Sequence, residues 1–110
     1  MPTALAPLEP GLWELKRAGA SAPPSRLCLT DLRQLFQPLH PAPLCRQFLS
    51  ENGRERAVAT YDCASQGQGR TTVRVETPRL VQIDSQGVAG GTPFGAQIEA
   101  RRIGACTPGG

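Results

Sequence analysis

Four cysteines, Cys28, Cys45, Cys63 and Cys106, are the side chains in this sequence best placed to do chemistry. They are separated by 17, 18 and 43 positions, and none forms a Cys-x-x-Cys pair. Zinc sites draw on closely spaced ligand pairs that one turn aims at a single ion. That spacing is missing here, and the one histidine, His40, sits in a Leu-His-Pro-Ala-Pro segment with no second histidine to join it. An even number of thiols in a small, loop-rich chain reads instead as two disulfides. A hydrolase needs a nucleophile, a base and an orienting acid, and no recognisable motif surrounds His40. The carboxylates Glu9, Glu14, Asp31, Glu51, Glu55, Asp62, Asp84 and Glu99 offer no pair that spacing singles out. Gly67-Gln68-Gly69 and Gly90-Gly91 lack the following Lys-Ser/Thr, or the strand-glycine-helix context, of a phosphate site. No catalytic, cofactor-binding or metal-binding residue is assigned, no cofactor is implied, and the chain is not expected to be an enzyme.

The stretch that must position the two middle cysteines, CRQFLSENGRERAVATYDC from Cys45 to Cys63, reads as a β-hairpin. Asn52-Gly53 is its turn, because these two residue types accept positive φ at least strain. Side chains alternate faces with period two, so parity tests the register. A two-residue loop pairs Glu51 with Arg54 and sends Cys45 and Cys63 to opposite faces. A longer loop, Asn52 to about Arg56, sets Cys45 opposite Cys63 and Arg46 opposite Asp62. It also gathers Leu49, Ala57, Ala59 and Tyr61 on the cysteine face, and it is the preferred register.

The other elements follow from the same patterns. Pro10-Gly11 signals a turn, and Leu12 to Arg17 alternates with Trp13 and Leu15 on one face. Trp13 reads as core, with a ligand-pocket wall as the other option. Gly19 to Ser25 is a flexible connection into Arg26-Leu27-Cys28-Leu29. Asp31 with Gln34 has the form of a capping box, and Leu32, Leu35, Phe36 and Leu39 form one apolar stripe, so a helix of about two turns is expected before Pro38, Pro41 and Pro43 stop it. After a loop at Gln66–Gly69, Arg70 to Thr77 alternates with Val73 and Val75 inward. A three-residue loop through Leu80 would set Val75 opposite Ile83 and Thr77 opposite Val81. A second glycine-rich loop, Gly87 to Pro93, precedes a last strand that turns Phe94, Ala96 and Ile98 inward.

A chain of 110 residues is one domain with a modest core. Gly and Pro contribute 12 and 11 residues and aromatics are few, which favours short strands and turns. The expected fold is α+β but mostly β: an antiparallel meander of about five to six strands carrying one short helix, stapled by disulfides. Residues 1–9 are expected to be a disordered leader, 10–106 the domain and 107–110 a flexible tail. The net charge of +3 comes from eleven arginines and Lys16 scattered among carboxylates, so no basic tract points to nucleic acid. No run reaches the roughly 18 apolar residues of a transmembrane helix.

In an up-down meander, Cys45 and Cys63 meet at one end, which leaves Cys28 with Cys106. Four cysteines allow three pairings, and this one is preferred. Oxidised cysteines imply a periplasmic or secreted home. The start, MPTALAPLEP, lacks the charged beginning and apolar run of a signal peptide, so a mature segment with a replaced or added Met1 is expected.

The ordered set Pro10-Gly11-Leu12-Trp13-Glu14, Cys28-Leu29-Thr30, Cys45, Cys63 and Arg101-Arg102-Ile103-Gly104-Ala105-Cys106 resembles the bacterial envelope family catalogued as domain of unknown function 3617. The likeness runs from Pro10 to Cys106. It implies export, often with a signal peptide or lipoprotein signal, and carries no functional residues with it. A methionine-rich middle, associated with many members, is absent, since Met1 is the only methionine. The function expected is a noncatalytic accessory module that binds another envelope protein. The alternative is a carrier for a lipid or other apolar ligand, held between sheet and helix.

Overall fold

The computed structural model describes residues 2–19, 21–39 and 43–106. Alternation of apolar and polar residues builds seven strands: β1 Gly11–Arg17, β2 Ser25–Leu29, β3 Arg46–Asn52, β4 Arg56–Asp62, β5 Gly67–Thr77, β6 Leu80–Ala89 and β7 Thr92–Gly104. They form one antiparallel sheet in the order β2-β1-β7-β6-β5-β4-β3, so β3 to β7 run as a meander and β1 returns to pair with β7. Two disulfides join Cys45 to Cys63 and Cys28 to Cys106.

Seven strands exceed the five to six expected, and the additional one is β2. Arg-Leu-Cys-Leu has no period-two signal of its own. Pairing with β1, Gly11 opposite Leu29 and Trp13 opposite Leu27, is what makes it a strand. The expected two-turn helix is instead a 3-10 helix, Leu32–Phe36. Its Asp31 cap is real: the Asp31 Oδ1 accepts the Arg33 N–H at 3.0 Å and the Gln34 Oε1 accepts the Asp31 N–H at 3.3 Å. The Arg33 guanidinium beside it holds the Asp31 carboxyl below the usual range. Pro38 disfavours helical geometry at Gln37, whose φ is −131°, so too few residues remain for a ladder of α-helical bonds.

One face of the sheet carries the core. Trp13, Leu15, Leu29, Ala57, Ala59, Val73, Val81, Ile83, Ala96, Ile98 and Ala100 are buried there, under Leu32, Leu35 and Phe36 of the 3-10 helix. The N-terminal segment completes this layer, which corrects the expectation of a disordered leader. Thr3–Leu5 forms a 3-10 turn, and Ala4, Leu5 and Leu8 are buried in the same cluster. A sheet this short of aromatic residues leaves apolar area uncovered on its inner face, and Leu5 and Leu8 cover part of it. The segment is tied down by the Glu9 N–H to the Pro78 carbonyl at 3.2 Å and by Arg79 on the Glu9 carboxylate at 2.9 Å. The Trp13 indole N–H donates to the Glu9 carbonyl at 2.9 Å, placing Trp13 in the core with its polar atom satisfied.

Two expected loops are strand. β5 begins at Gly67 and β6 runs on to Ala89, with only Gly90-Gly91 left as the turn into β7. Gly67 and Gly87 permit close backbone approach rather than marking a break. A Cβ on Gly67 would lie 2.1 Å from the Val88 carbonyl oxygen, and one on Gly87 would lie 2.1 Å from that of Gln68. The β5/β6 register also differs from expectation. Val75 faces Val81 and Val73 faces Ile83, with an irregularity between Val75 and Thr77 that lets Pro78-Arg79 make the turn. The shift is by two residues, so the inward face is unchanged. His40 and the tail 107–110 lie outside the described residues.

Candidate functional site

The hairpin of β3 and β4 holds the preferred register only in part. Arg46 pairs with Asp62, Phe48 with Thr60 and Leu49 with Ala59, but then the ladder shifts, and Glu51 faces Val58 and Asn52 faces Ala57. Ser50 is the extra residue of a β-bulge, its hydroxyl donating to the Val58 carbonyl at 3.2 Å. Because a bulge places two residues at one ladder position, the faces exchange beyond it. Arg46, Phe48 and Glu51 all lie on the outer face, away from the core, while Gln47, Leu49 and Asn52 lie on the inner one. Glu51 makes an ion pair with Arg56 at 3.0 Å, and the Arg46 guanidinium stands 5.4 Å from the centre of the Phe48 ring.

β3 is an edge strand, and among the described residues no strand pairs with it beyond β4. Phe48 is 54 % exposed and Leu49 43 %, and Leu44 just before the strand is exposed too. Leu49 shares a face with Ala57, Ala59 and Tyr61, as the preferred register expects, but the covering layer stops short of it. The strand is fixed at its start by a buried polar residue that sequence reading missed, Gln37. Its Oε1 accepts the Cys45 N–H at 3.0 Å and the Gln47 Nε2 at 2.9 Å, and its Nε2 donates to the Pro43 carbonyl at 2.9 Å. The Cys45–Cys63 bond anchors the same end.

Next to Phe48 a concavity of about 390 Å³ opens to solvent, walled by Tyr61, Gly69 and Val88 together with the polar Thr60, Asp62 and Arg70. Tyr61 is buried, and burial pushes its phenol pKa up. Ser85, which shares a 2.8 Å hydrogen bond with Thr71, pulls that pKa part of the way back, yet the Tyr61 hydroxyl completes no hydrogen bond among the described residues. A second concavity of about 390 Å³ lies on the outer face and is polar, with Arg56, Thr72, Arg74, Gln82, Asp84 and Gln97 around it. It contains a single carboxylate, Asp84, which faces Thr72 across the ladder, and the remaining polar groups are arginines and glutamines suited to hydrogen bonding.

The Cys28–Cys106 bond lies at the far end and organises the residues that carry the family resemblance. Leu12 of β1 faces Cys28 on one side and Gly104 on the other, and Trp13 faces Leu27 and Arg102. Gly11 has φ +149°, and a Cβ there would lie 2.6 Å from both the Arg102 Nε and the Gly104 carbonyl oxygen. The Arg102 Nε donates to the Pro10 carbonyl at 2.9 Å across this gap. The three motifs thus form one lock of β2, β1 and β7. No family model, curated protein or solved structure matches the chain. Among the described residues no group of three His, Cys, Asp or Glu side chains is placed to hold a metal ion, and no helix is long and apolar enough to cross a membrane.

Proposed function

We propose that this chain is a noncatalytic protein-binding module of the bacterial cell envelope, exported and oxidised there, of the kind its resemblance to domain of unknown function 3617 implies. Its working surface is the β3 edge, with Phe48 and the concavity beside it on the outer face and Leu49 on the inner one. The observation that carries this reading is a contrast: the space between sheet and 3-10 helix is filled by Leu5, Trp13, Leu35 and Phe36, while two large apolar side chains stand in solvent on an unpaired strand. Carriers enclose their ligand, whereas exposed apolar patches rimmed by charge mark docking sites. Two disulfides suit an oxidising compartment.

A photo-crosslinking residue at Phe48, in protein expressed and exported in a bacterial envelope, tests the reading. Adducts of protein mass at Phe48, and none from the same probe at Gln82 on the outer polar face, are the expected result. Adducts of lipid mass would overturn it in favour of the carrier, and no adduct at all would overturn the β3 edge as a binding surface. Four free thiols on the unfolded, unreduced protein would overturn the proposed compartment.

A further inference from the structure

We propose that the partner seated on the β3 edge is a second copy of this chain, joined to the first by antiparallel β3–β3 pairing about a two-fold axis at Phe48; this rests on the β3 edge being the binding surface.

Backbone geometry supplies the first part. The Cys45 N–H points away from β4, since it is held by Gln37. In an antiparallel ladder the residues that turn their backbone groups away from the partner alternate, so Gln47 and Leu49 present theirs to the open edge. With Phe48 on the axis, Gln47 of one copy faces Leu49 of the other. Each of the two symmetric pairs exchanges two N–H···O=C bonds, and no backbone group used by β4 is disturbed.

Side-chain complementarity supplies the second part. On the outer face the strand reads cation, aromatic, anion: Arg46, Phe48, Glu51. Reversed against itself, it sets Phe48 on Phe48 and Arg46 opposite the bulge that carries Glu51. The bulge is essential to this match, because without the extra Ser50 the Glu51 side chain would point to the inner face. Among the described residues Arg46 has no carboxylate within ion-pair distance, and the second copy brings one that Arg56 already orients. On the inner face the exposed Leu49 side chains are covered.

The other edge is built against pairing. β2 is only five residues long, follows Pro23-Pro24 and is tied at Cys28 to Cys106. Pairing therefore closes at two copies instead of growing into a fibre. The bulge also ends the ladder after a few residues, so the contact is small and the dimer weak.

Sedimentation velocity of the oxidised full chain over a dilution series up to about 500 μM is the test. Reversible monomer–dimer exchange is expected. Arg46→Glu and Glu51→Arg should each weaken it about tenfold or more, and the double charge swap should restore it, as like charges at a closed interface are costly and opposite ones tolerated. Leu49→Pro, which removes an N–H that β4 does not use, should abolish dimerisation, with the circular dichroism spectrum of the monomer unchanged. A monomer at every concentration, or a dimer indifferent to the charge swap, overturns the proposal. If the protein is monomeric yet Phe48 crosslinks to another envelope protein, the self-pairing falls and the binding-module reading stands; if both fail, the edge is not a docking surface.

Discussion

The two disulfides should contribute unequally, and the inequality can be worked out from their positions. Cys45–Cys63 spans 18 residues and Cys28–Cys106 spans 78. In the chain-entropy picture these closures restrict the unfolded chain by about 3.2 and 4.5 kcal/mol respectively when each acts alone. They are nested, however. With the inner bond intact, the outer one closes a loop already shortened by the inner separation, and its share falls to about 4.3 kcal/mol. All four cysteines are half-buried, so replacing either pair by serine loses similar packing, and loop length is left as the main difference. The Cys28→Ser/Cys106→Ser variant should therefore be less stable than Cys45→Ser/Cys63→Ser by about 1 kcal/mol, against a total of roughly 5–15 kcal/mol for a domain of this class. Urea unfolding followed by the fluorescence of Trp13, the only tryptophan, measures both variants beside the parent. If the inner pair proves as costly as the outer, loop entropy is not what these bonds supply, and the lock of β2, β1 and β7 contributes less than its position suggests.

Two further perturbations test the packing. Leu5→Ala should cost about 2–4 kcal/mol, as expected for a fully buried leucine; a loss below about 1 kcal/mol would mean that the N-terminal segment is not part of the core. Tyr61 is the only tyrosine, so its ionisation can be followed directly by ultraviolet absorbance. Burial raises its pKa in the folded state, which favours the neutral phenol there. This contribution is fully present below the unfolded value of about 10 and is lost as pH rises through the folded one. Ionisation is thus expected above the ordinary tyrosine range in the folded protein, and Tyr61→Phe, which removes an unbonded buried hydroxyl, should be neutral or stabilising by up to about 1 kcal/mol. Titration at the ordinary value in an intact fold would contradict this.

Much of the sheet is legible in the chain because its cause is local. Trp13 and Leu15, Val73 and Val75, and Ala96 and Ile98 alternate with polar neighbours, and alternation alone assigns their face. Asp31 and Gln34 announce their cap through side chains that reach only one turn. The candidate site was half legible: parity put Leu49 on the cysteine face with Ala57, Ala59 and Tyr61, but exposure depends on where the covering layer ends.

The amino-acid order by itself determined an all-antiparallel, disulfide-tied sheet and the faces of most of its strands, because side-chain parity and turn chemistry act over a few residues. Only the tertiary structure decided that Leu5 and Leu8 belong to the core, that Ser25–Leu29 becomes a strand and that Gly67 and Gly87 lie within strands where two backbones touch. The Ser50 bulge, which turns Glu51 outward beside Phe48, was likewise decided there. Each of these depends on what a distant part of the chain brings alongside, and no local pattern encodes that.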